Sequence, residues 1–66
     1  MIYKYGYRLR PPSIGTQPNG FKILSNTRFG VQSGHYTEMY WGYATYDRKL
    51  TNKEMFEYDL ELLEVK

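Results

Sequence analysis

Apolar and polar residues alternate from the start of the chain. Tyr3, Tyr5, Tyr7 and Leu9 fall on one face at a period of two, and Lys4, Gly6, Arg8 and Arg10 on the other. The pattern predicts a half-buried strand over residues 2–10 whose outer face is basic. Pro11 and Pro12 stop it, because proline has no N–H for a ladder. Residues 11–20 (PPSIGTQPNG) read as a loop, with Asn19-Gly20 suited to a tight turn. So long a connection in a short chain serves either a function or a crossover. Over residues 21–32, Phe21 and Ile23 flank Lys22, and Phe29 and Val31 alternate with Arg28 and Gly30. Two short strands joined around Ser25-Asn26-Thr27 are expected, followed by a turn at Ser33-Gly34. Residues 36–46 (YTEMYWGYATY) predict a central strand rich in aromatic and β-branched residues. Met39, Trp41, Tyr43 and Thr45 would take one face, and Tyr40, Gly42, Ala44 and Tyr46 the other. Small Gly42 and Ala44 leave room for a helix, an aromatic ring or a ligand to come close.

The period then changes. Thr51-Asn52-Lys53-Glu54 is a T-x-x-E capping box, and Leu50 and Met55 bracket it as a hydrophobic staple. A helix therefore starts at Asn52. Carried to Leu63, it would place Asp59 amid Met55, Phe56, Leu60, Leu62 and Leu63, where an unpaired carboxylate is costly. A strand over 58–65 instead turns Tyr58, Leu60 and Leu62 inward and Asp59 and Glu61 outward. A helix at 52–57 followed by that strand is the favoured reading. The expected fold is α+β: one domain over 1–66, a small antiparallel sheet of about four strands and one short α-helix covering a sheet face.

Length makes stability the first problem, since 66 residues bury little surface. There is no cysteine, so neither disulfides nor a thiolate metal site can serve as a staple. A partner subunit, a second copy of the chain included, is the expected substitute. Eight tyrosines dominate the aromatic content and suit half-buried sheet faces and interfaces alike. The net charge is only +2, but its distribution is uneven. Lys4, Arg8, Arg10, Lys22 and Arg28 precede the first acid, Glu38, and Glu54, Glu57, Asp59, Glu61 and Glu64 crowd the end. The opening residues lack the apolar core of a signal peptide, and nothing approaches a membrane span, so the cytoplasm is the expected compartment.

Catalytic motifs are missing. His35 sits alone in a Gly-His-Tyr turn, and the sequence contains neither a nucleophile elbow nor a phosphate-cradling glycine motif. No enzyme activity, metal or cofactor is expected. Lys4, Arg8 and Arg10 beside aromatics could serve single-stranded nucleic acid, although the tyrosines of that strand point the opposite way. Tyr, Trp and Arg are also the residues that dominate protein interfaces. The expected contact surface is Lys4, Arg8 and Arg10 with the proline loop beside them, joined by Trp41 and Tyr43 where a sheet face is open. A protein partner is the first reading and nucleic acid the alternative.

Residues 5–18 (YGYRLRPPSIGTQP), 46–54 (YDRKLTNKE) and 58–60 (YDL) resemble small accessory proteins of bacterial mobile elements and phages, and modules within the large polyvalent proteins that travel with them. The resemblance covers both ends, about half the chain. It implies no catalytic residues. It implies an accessory factor of a phage or mobile element, one that blunts a host defence.

Overall fold

The structure is a computed structural model and describes residues 1–13, 15 and 17–66. Ile14 and Thr16 belong to the expected 11–20 loop and lie outside the described residues. In chain order the elements are β1 (Tyr3–Tyr7), β2 (Ile23–Ser25), β3 (Phe29–Ser33), β4 (Tyr36–Tyr40), β5 (Gly42–Tyr46), α1 (Asn52–Glu57) and β6 (Leu60–Val65). Four strands form one sheet in the order β2-β5-β1-β6, and β3 and β4 form a separate two-stranded ribbon. Every pairing is antiparallel.

The α+β expectation is therefore corrected: the fold is mostly β, with six strands in two sheets and a single short helix among the described residues. Its source is the 36–46 segment, read as one central strand. The chain breaks pairing at Trp41 and changes sheets there. The Trp41 N–H leaves the ribbon and donates to the Tyr7 carbonyl at 2.8 Å. The 21–32 strands do form, but β2 pairs with β5 and β3 with β4, not with each other.

One face of the large sheet carries the core. Tyr5 stands opposite Ala44 on β5 and Leu62 on β6, and Tyr7 opposite Gly42 and Leu60. Tyr5, Tyr7, Ala44, Tyr46, Leu50 and Leu60 are buried together, with Tyr3, Leu24, Met55, Tyr58 and Leu62 packed around them. Tyr5 and Tyr46 meet edge to face, their centroids 5.9 Å apart. Their hydroxyls are satisfied inside: Tyr5 Oη accepts from the Leu50 N–H at 2.8 Å, and Tyr46 Oη donates to the Pro18 carbonyl at 2.7 Å. Burial pushes the Tyr46 phenol up to about 12. Tyr5 and Tyr46 can thus sit in this core because their tips meet backbone groups there.

The helix begins as its cap dictates. Thr51 Oγ1 accepts from the Glu54 N–H at 3.1 Å, and Glu54 Oε1 accepts from the Thr51 N–H at 3.0 Å. Arg48 grips the same carboxylate with both guanidinium nitrogens, at 3.0 and 2.9 Å, and donates to the Asn19 carbonyl. Together these bonds hold the Glu54 carboxyl down to about 2. The helix ends at Glu57. Asp59 follows at φ 55, and this left-handed residue turns the chain into β6. Among the described residues no helix is long and apolar enough to cross a membrane.

Candidate functional site

The ribbon covers part of the second sheet face. Tyr40 lies over Gly6, so close that a Cβ on Gly6 would stand 2.7 Å from its ring. Phe29 stacks on Tyr40 at 5.4 Å and meets Tyr43 edge to face at 5.9 Å. Tyr40 and Tyr43, placed on opposite faces by strict alternation, thus pack in one aromatic group, because the break at Trp41 resets the phase. Tyr43 is half-buried under the ribbon.

The predicted cations separate. Lys4 is not a free surface charge. Its ammonium lies 4.5 Å from the Tyr43 centroid and 5.1 Å from that of Phe29. Arg8 and Arg10 lie beyond the end of β1, which stops at Tyr7 rather than residue 10. The neighbours of β1 run out there: Tyr7 already faces the first residue of β5 and the first of β6. Leu9, expected on the core face, is consequently 70% exposed. Trp41 stands apart, partly exposed beneath the Arg28 guanidinium at 4.7 Å.

Arg8 is held by two acids. It lies 3.3 Å from Glu38 of β4 and 3.5 Å from Glu61 of β6. Buried Tyr40 Oη points at the same carboxylates, 2.9 Å from Glu61 and 3.2 Å from Glu38. Burial, followed by these contacts, raises the Tyr40 phenol pKa. The four groups clip β1, β4 and β6 together. Arg10 pairs more loosely with Asp59 at 3.7 Å. Both arginines keep more than half their side-chain surface open, so they are paired but not buried.

Of the predicted arginine pair, Arg8 borders a groove between the end of β1 and α1, and Arg10 is tied to it through its partner Asp59. Its volume is about 280 Å³, and Arg8, Leu9, Met55, Phe56, Asp59 and Leu60 line it. Phe56 is 84% exposed, on the helix face turned from the core. Leu9 and Phe56 are the residues that sequence reasoning missed as surface. The helix ending at 57 already implied an outward Phe56, while Leu9 gave no warning. Among the described residues, no three His, Asp or Glu side chains converge as a metal site.

The geometry describes a partly apolar groove with a paired-charge rim. Comparison with known proteins then places the chain. The family described as Defence against restriction A C-terminal matches residues 1–65, so the phage resemblance runs through the middle as well as the ends. The Defense against restriction protein A of Escherichia phage P1 is 40% identical over 61 residues, 92% of this chain. The chain spans only 9% of that relative's length. No solved structure matches it. With nearly every residue inside the match, the chain belongs to the Defence against restriction A C-terminal family of phage accessory modules.

Proposed function

We propose that this chain is a non-enzymatic protein-binding module acting in phage defence against host restriction. The context comes from the name of the phage P1 relative, of which the chain matches one short part. The binding reading rests on one observation: Leu9 and Phe56 stand exposed along a single groove, on a chain that buries four tyrosines completely. Covering a side chain of this kind is worth about 1.5–3 kcal/mol, enough for two such anchors to dominate a small interface. Arg8 at the rim, and Arg10 beside it through Asp59, orient a partner rather than supply bulk affinity. Their acids already neutralise them, which favours a protein over a phosphate backbone as the occupant.

The test is the double variant Leu9→Asp, Phe56→Asp. Both positions are exposed, so each substitution should change stability by only about 0.5 kcal/mol. The expected result is loss of protection when phage carrying the variant infects a restricting host. Loss of a partner captured from infected cells, at low and high salt, should accompany it. Full protection and unchanged capture by a folded double variant would refute the groove as the binding site.

A further inference from the structure

Beyond the groove, the ribbon presents a sheet edge unlike the others. Unpaired edge strands invite another strand, and proteins blunt them with charge, proline or shortness. Here β2 is three residues long. β6 carries Glu61 and Glu64, and β4 carries Glu38. β3 (Phe29-Gly30-Val31-Gln32-Ser33) has five residues, no charge and no proline, and four of the five are exposed. Its hairpin closes through Gly34-His35, with Ser33 opposite Tyr36 and Gly34 at φ 63, the first central position of a two-residue turn. Such a loop closes on a hydrogen-bonded pair, and pairs alternate from there. The N–H and C=O groups of Gly30 and Gln32 therefore face outward, away from β4.

We propose that β3 is a strand-addition edge and that its occupant is β3 of a second copy, antiparallel about a two-fold axis through Val31. In that register Gly30 faces Gln32 of the copy, and each pair exchanges two backbone hydrogen bonds. Val31 meets Val31 at the non-hydrogen-bonded position, where side chains approach most closely. Charge singles out this edge. The same operation on β4 would set Glu38 against Glu38, and on β6 it would set Glu61 against Glu64. Pairing also merges two ribbons into a four-stranded sheet. A five-residue strand contact falls well short of the ~1,000 Å² of a stable interface, so the dimer is weak and concentration-dependent.

The measurement is sedimentation of the full chain from about 10 µM to about 1 mM, together with a single-cysteine crosslink. Wild type should shift from monomer to dimer across that range. Val31→Lys and Gln32→Pro should remain monomeric throughout while keeping the wild-type circular dichroism. The chain has no cysteine of its own. Val31→Cys should therefore crosslink cleanly under oxidised glutathione, since a non-hydrogen-bonded pair matches disulfide spacing, while exposed Lys53→Cys should crosslink far more slowly. A wild type that stays monomeric at the highest concentration overturns the proposal, as does a dimer unchanged by Val31→Lys. Equal crosslinking at positions 31 and 53 would overturn it too, and so would occupation of the edge only by a foreign strand.

Discussion

Gly42→Ala inverts the usual sign of a glycine substitution, and Gly6→Ala provides its internal comparison. Replacing a strand glycine by alanine ordinarily stabilises by about 0.5–1 kcal/mol, through lost freedom in the unfolded chain. At Gly42 the new methyl would land on the Ser25 carbonyl oxygen and 2.8 Å from both Cδ and Cγ of Pro12. Ser25 is the last residue of β2, in register with Tyr43. Pro12 is buried. Neither neighbour is the flexible end of a long side chain, so backbone must move. Overpacking of this kind costs about 1–3 kcal/mol, and a backbone obstacle belongs at the upper end. At Gly6 the methyl meets the Tyr40 ring at 2.7 Å and Leu63 Cδ1 at 2.8 Å. Those are side-chain atoms, and half-buried Leu63 can rotate away, so the loss should be nearer 1 kcal/mol. In a chain of this size 1 kcal/mol moves Tm by about 4–8 °C. Gly42→Ala should thus melt about 10–20 °C below wild type, and Gly6→Ala about half as far below. Thermal and urea unfolding followed by circular dichroism measure both, with an unchanged m-value showing that stability alone has shifted. A Gly42→Ala variant as stable as wild type, or a Gly6→Ala variant that is the worse of the two, would refute the packing argument.

Two further outcomes follow from the charges. Glu54 is depressed in the folded state, so its stabilisation is complete above the ordinary carboxylate range and is lost as pH falls toward about 2. The Tm gap between wild type and Glu54→Gln should therefore close on acidification, and a gap constant from neutral to acid pH would count against the Arg48–Glu54 grip. Arg8→Glu adds a third carboxylate beside Glu38 and Glu61 and should lose about 1–2 kcal/mol, partly restored by salt, whereas Arg10→Glu, facing Asp59 alone across 3.7 Å, should lose less; equal losses in chemical denaturation would show that the Tyr40 network holds nothing together.

Local signals were legible wherever a few adjacent residues decide the outcome. The capping box located α1 to the residue, because a cap is satisfied within one turn. The misfit of Asp59 on a helical face ended that helix correctly and turned Leu60 and Leu62 inward. Alternation put Tyr3, Tyr5 and Tyr7 on the core side. The same alternation failed at Leu9, since a period of two continues past the point where neighbouring strands stop. It failed again across Trp41, where nothing in YTEMYWGYATY marks a change of sheet.

The contact surface followed the same division. Arg8 and Arg10 are exposed, but past the end of β1 rather than on its outer face; that Glu38, Glu61 and Asp59 would neutralise them was not readable, since those acids lie far along the chain and only strand order brings them near. By itself, then, the sequence determined the elements, their caps and the tyrosine face. Tertiary structure decided which strands became neighbours, and with that where β1 ends, why Leu9 and Phe56 share an open groove, and which partner each predicted cation meets. The physical reason is range: caps and periodicity act over a few residues, whereas pairing, burial and charge neutralisation depend on partners that the fold alone selects.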